Sequence, residues 1–202
     1  MDTMSSHAPA LERCAAPLAR GAEATATVRA RYDRVAALLH WTIGLLLLGQ
    51  ITFGFLVDEI APRGTPARAG IINLHKSFGM VLGVLIVARL AWRLAHRPPP
   101  WPATMSAGQQ RAAVLGHRAL YACMLALPLA GYVGSNFSKH GVRFFGVPLP
   151  AWGPDWPGAY AFLGGVHIVT AWIFALLVAG HVGAALAHAV VKRDGIFSRI
   201  VY

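Results

Sequence analysis

The stretch Gly164–His188, GGVHIVTAWIFALLVAGHVGAALAH, places His167, His181 and His188 in a run otherwise made almost wholly of apolar and small residues. Such a run is long and greasy enough for a helix that crosses a bilayer, where the backbone must satisfy its own polar groups. Ionisable rings are expensive at that depth, so three of them in one span require a functional account.

The rest of the chain fits the same solvent. Of 202 residues, 56% are hydrophobic and only 13% charged, too greasy and charge-poor for a soluble domain of this size. Four apolar segments, at about 35–57, 71–92, 113–134 and 160–191, each reach the roughly 20 residues a spanning helix needs. The expected fold is all-α, an integral membrane four-helix bundle over residues 31–202, preceded by a disordered tail over residues 1–30. No Asp or Glu falls inside these segments. Cys14 and Cys123 form no CxxC or CxxCH motif, so any cofactor is held noncovalently.

The net charge of +10 does not indicate nucleic acid, because the basic residues flank apolar spans instead of lining one face. Arg13, Arg20, Arg29, Arg31, Arg34, Arg89, Arg93, Arg97, Arg111, Arg118, Lys192, Arg193 and Arg199 fall on one side. Only Arg63, Arg68, Lys76, Lys139 and Arg143 fall on the other. This asymmetry predicts that both termini are cytoplasmic.

His167 and His181 are 14 residues apart, about 21 Å along a helix and within roughly 40° of one face. With position 174 at the membrane centre, His167 lies about 10 Å outward and His181 about 10 Å inward. His40 in the first span falls at the inner depth, and His75 in the antiparallel second span at the outer depth. Two imidazole pairs at two depths, His40/His181 and His75/His167, are what two stacked b-type haems with bis-histidine ligation require. Position i+4 from a ligand shares its face, and it is Gly44, Gly79, Ala171 and Ala185 respectively, all small enough for a porphyrin to approach.

His117 shares the inner depth, but its i+4 neighbour is Tyr121. With Arg118 it is therefore expected to support the haem or meet a propionate rather than ligate iron. Zinc is a poorer match, since it takes further thiolate or carboxylate ligands that the spans do not offer. His188, seven residues beyond His181, is a candidate to hydrogen-bond or protonate a quinone. Lys76, Lys139 and Arg143, with His140 nearby, form a positive outer rim suited to steering an anionic electron donor. Gly79 and Gly83 make a GxxxG whose first use is packing within the chain.

The segments LLHWTIG, LHKSFGMVLG, GHRALYACMLALPLAG and VHIVTAWIFALLVAGHVGAALAHAVVKRDGIFSRI resemble the bacterial cytochrome b561 family over about residues 31–200. The resemblance implies a four-helix, two-haem cytochrome of the bacterial inner membrane, with iron ligands at His40, His75, His167 and His181. It is strongest to superoxide oxidases, implying transfer of electrons from periplasmic superoxide to ubiquinone. The alternative is a cytochrome b subunit between a dehydrogenase, hydrogenase or soluble redox partner and the quinone pool. A proton transporter fits less well, because acidic residues are absent from the spans.

Overall fold

The computed structural model describes residues 31–201; the tail over residues 1–30 lies outside the described residues. Four helices dominate: α1 Arg34–Ile60, α2 Pro66–Ala95, α3 Ala107–Asn136 and α4 Pro157–Leu186. Each is long and apolar enough to cross a membrane, and together they form a four-helix membrane bundle. α1, α2 and α3 exceed the expected spans at both ends, whereas α4 begins earlier than expected and stops at Leu186, with a π-helical turn covering the remainder. The last three run to 30 residues, about 45 Å, so they project from or tilt within a hydrocarbon core of about 30 Å. The extension of α1 takes in Asp58 and Glu59, and Asp58 pairs with Arg68 at 2.7 Å in the α1–α2 turn.

Local chemistry fixes where the helices begin and end. Asp33 caps α1 by accepting from the Ala36 amide at 2.8 Å, and Ser106 with Gln109 forms a reciprocal capping box on α3. Pro66 and Pro157 open α2 and α4 at positions where a missing N–H costs nothing. Beyond Leu186, α4 widens into a π-helical turn, Ala187–Lys192, and stops where Arg193 turns left-handed at φ 50°.

Consecutive helices pack on one another around a central layer of Ile43, Leu82, Ile86, Met124 and Phe174. Gly83 meets Pro128 of α3, where a Cβ would lie 3.5 Å from the ring, and Gly79 faces Gln50 of α1. The GxxxG pair is thus used inside the chain. Contacts between Tyr32 and Arg199, Trp92 and Asp33, and Arg199 and Pro100 put both ends of the described chain at one end of the bundle, here the terminal end.

The opposite end carries a small hairpin, β1 Arg143–Phe144 and β2 Val147–Pro148, paired antiparallel. Its two-residue turn needs left-handed backbone at Phe145 (φ 46°) and Gly146 (φ 92°). Phe145 is held there by its amide, which donates to the Ser77 hydroxyl at 2.8 Å, and by edge contact with Phe78. Ser77 is fully buried and also donates to the Asn73 carbonyl at 2.7 Å. Replacing Ser77 with Ala should therefore cost about 1–3 kcal/mol by leaving the Phe145 amide without its acceptor. Amide exchange should quicken across residues 143–148 and stay unchanged in the helix centres.

Candidate functional site

Two imidazole pairs form, one toward each end of the bundle. His75 of α2 and His167 of α4 have ring centroids 6.1 Å apart, and His40 of α1 and His181 of α4 have centroids 6.2 Å apart. The rings of each pair are steeply inclined, at 79° and 70°. A metal ligated from both sides at about 2 Å sets two imidazole centroids about 6 Å apart, so both spacings suit one metal between two rings. Among the described residues no three His, Cys, Asp or Glu converge as a metal group.

At the hairpin end the rings are held by close backbone. The Leu127 carbonyl, in the α3 turn that contains Pro128, lies 2.9 Å from His167 Nδ1. A carbonyl only accepts, so this nitrogen carries the proton and Nε2 keeps a free lone pair. Gly131 makes the approach possible, because a Cβ there would sit 3.3 Å from the same Nδ1. His75 lies parallel to Phe53 at 5.7 Å, and Gly54 leaves space beside its Cε1. Its Nδ1 is buried with no hydrogen-bond partner, an unmet polar atom in an apolar setting. Gln50 bonds the His75 carbonyl at 2.8 Å, bracing that turn from α1.

At the terminal end the surroundings are more polar. His117 of α3 lies 5.4 Å from His181, nearer than His40 does, and its Nδ1 donates to the Ala113 carbonyl at 2.7 Å. Arg89 of α2 donates to the Tyr121 hydroxyl at 3.0 Å, and its Nη2 is 3.1 Å from His40 Nδ1. No protein atom lies within 4 Å of a Cβ built on Gly44, so the turn next to His40 faces open space. The residues fit a planar macrocycle ligated through its metal: paired rings at metal spacing, a bare turn beside one, and an unpartnered ring nitrogen on another.

The remaining expected residues divide by position. Lys76 is half-buried and donates to the Gly141 carbonyl at 3.3 Å, so the loop before the hairpin folds against it. Lys139 and Arg143 are exposed on that loop. Arg118 is exposed on α3 and joins none of the contacts around His117. Arg89 occupies that setting instead. His188, in the π-helical turn, pairs through Nδ1 with Asp194 Oδ2 at 2.6 Å, both side chains nearly buried.

Arg89 had a legible signal that the histidine count passed over: it follows His75 by 14 residues, as His181 follows His167. Gly131 and Asp194 had none. One is a glycine among many, and the other lies beyond the helix in an irregular turn.

Burial alone would raise the Asp194 carboxyl, but the His188 ring and the Ile196 amide outweigh it and hold it below the ordinary 3.8. A depressed folded value means the contact stabilises fully above that pH and is lost as pH falls below it. Hydrogen exchange corrected for intrinsic rates should show residues 194–200 losing protection on acidification below about pH 4 before the helices do.

The family model described as prokaryotic cytochrome b561 matches residues 31–202. Cytochrome b561 homolog 2 of Escherichia coli (strain K12) is 30% identical over 174 residues, covering 85% of this chain and 91% of that protein. Cytochrome b561 homolog 1 of the same organism is 28% identical over 172 residues, covering 85% and 97%. Cytochrome b562 of Cereibacter sphaeroides is 28% identical over 173 residues, covering 84% and 94%.

Proposed function

The chain belongs to the prokaryotic cytochrome b561 family, and from that premise we propose that it is a superoxide:ubiquinone oxidoreductase of the bacterial inner membrane. Membership makes it a multi-pass membrane cytochrome of the b type that serves electron transfer. The finer reading holds that two haem b groups are carried, one by His75 and His167 and one by His40 and His181, with both termini cytoplasmic. When bound, the haems supply reversible one-electron carriage between the two faces.

The observation that carries this reading is the pair of two-imidazole sites, both at metal spacing, joined by one helix across the apolar layer. Each histidine pair would hold one haem iron from both sides, and a haem so held would supply outer-sphere electron transfer rather than oxygen activation. Each superoxide gives up one electron to become dioxygen. Two superoxides and two protons are therefore consumed for each quinone reduced to quinol.

The chain's own residues serve the two ends differently. Lys76, Lys139 and Arg143 surround the His75 end with positive charge, which raises the encounter rate of an anionic donor. His188 handles protons for a quinone at the terminal end, with Asp194 on Nδ1 fixing its ring as a carboxylate fixes a catalytic imidazole. Exposed Phe144, Val147 and Trp152 at the hairpin end favour a second reading, in which a redox protein docks there and supplies the electrons.

Purified protein mixed with superoxide and a short-chain ubiquinone should form quinol, and the rate should fall as salt rises. Arg143→Gln and Lys139→Gln together should slow it several-fold with haem content unchanged. Absence of protein-dependent quinol formation from fully loaded protein would sink the superoxide reading. His75→Ala and His40→Ala should each remove one of two low-spin haems, measured by pyridine haemochrome assay. Retention of both haems would break the pairing.

A further inference from the structure

Arg89 carries a charge that no described carboxylate answers. Its Nε donates to Tyr121 at 3.0 Å and its Nη2 lies 3.1 Å from His40 Nδ1, while Nη1 is buried with no partner. Arg93 stands over the same Tyr121 ring, 5.9 Å from its centroid, which adds a second cation. Of the carboxylates at this end, Asp33 is engaged by the Trp92 indole at 3.1 Å and the Ala36 amide, and Asp194 by His188. The ion pairs among the described residues form at Asp58 and at Asp194, and none includes Arg89. A guanidinium stays protonated at any ordinary pH, and a buried one without an anion is strongly unfavourable.

From this geometry we infer that Arg89 holds a carboxylate, and that the carboxylate is a propionate of the haem seated between His40 and His181. The inference rests on the haem reading above and adds a residue to it. A guanidinium can only donate, so in the present contact His40 Nδ1 accepts. An imidazole that offers one nitrogen to a metal carries its proton on the other. The two arrangements exclude each other. Ligation by His40 therefore releases Nη2, and Nη1 and Nη2 together present the flat two-donor fork that a carboxylate fills with two parallel bonds. Haem b carries its own carboxylates, and His40, one of the two imidazoles that would seat it, is within hydrogen-bond reach of the fork.

Arg89 is thus a positioning residue. It orients the macrocycle about the His40–His181 axis and, as a cation close to it, favours the reduced state there. Lys at this position keeps the charge but loses the fork.

The test uses purified, haem-loaded protein from cells fed 5-aminolevulinate carrying carbon-13 in its carboxyl group, which labels only the propionate carboxyls. In Arg89→Met, redox titration should move one haem to a more negative potential and leave the other in place. The labelled carboxylate band in the redox infrared difference spectrum should shift. Arg89→Lys should keep most of the potential but still shift the band, and it serves as the measurement if Arg89→Met does not fold. Loaded protein whose potentials and labelled band are unchanged in both variants overturns the assignment. A lowered potential with the labelled band unmoved also overturns it, because the anion is then a lipid phosphate or a solute. Wild-type protein that binds no haem defeats the functional reading itself, a different outcome from either.

Discussion

Fourteen residues of α-helix separate His167 from His181, and most of the remaining structure follows from that length. The number is close to four turns, so both rings leave α4 on nearly one face at a separation of about 21 Å. Within lipid the helix cannot bend or unwind cheaply between them, since no water is present to take up freed backbone groups. The other helices must therefore bring their rings to two fixed heights. Phe174 stands halfway, fully buried, and Ile43, Leu82, Ile86 and Met124 close around it. Leu82 lies seven residues from His75, and Met124 seven from His117, so α2 and α3 repeat the interval that separates Phe174 from each α4 histidine, whereas Ile43 of α1 lies three residues from His40.

This regularity explains what could be read without coordinates. The spans, their direction and the two histidine pairs depend on helical rise and hydropathy, which are properties of one helix at a time. What escaped depends on contacts between helices. Gly131 matters because it lets α3 press its backbone onto His167, and no pattern within α3 distinguishes it from Gly134 three residues on, which admits Leu163 instead. Arg118 was a natural choice beside His117, yet the adjacent position on a helix points about 100° away, and it is exposed. Arg89 reaches the same region from α2. The hairpin was legible only as a Gly- and Pro-rich loop, because its seat on Ser77 joins residues 68 apart.

The two ends of the bundle are closed by different means. At the hairpin end, residues 141–148 lie over the start of α2, held by Lys76, Ser77 and the backbone of one tight turn. At the terminal end, the segment after the π-helical turn crosses back over α1. Asp194 ties it to His188, the Trp41 indole donates to the Ile200 carbonyl, and Arg199 reaches the Pro100 carbonyl. The wider turn at Ala187–Lys192 ends α4, and within it His188 faces the Asp194 carboxylate at the rim.

Charge on α2 follows nearly the same spacing as the imidazoles on α4, 13 residues against 14. Lys76 adjoins His75, and Arg89 contacts His40, so one helix brings a cation to each level while the helix opposite brings a ring to each. The two cations differ in what they can do. An ammonium on a flexible stem satisfies itself on a loop carbonyl at the rim and keeps part of its field in water. A guanidinium enclosed by Tyr121 and His40 has a fixed plane and no such outlet. The apolar layer between them holds the two cations apart, so each lies nearest the imidazoles of its own level and acts most strongly there. The two imidazole pairs look alike, but their surroundings differ in charge, and that difference comes from α2.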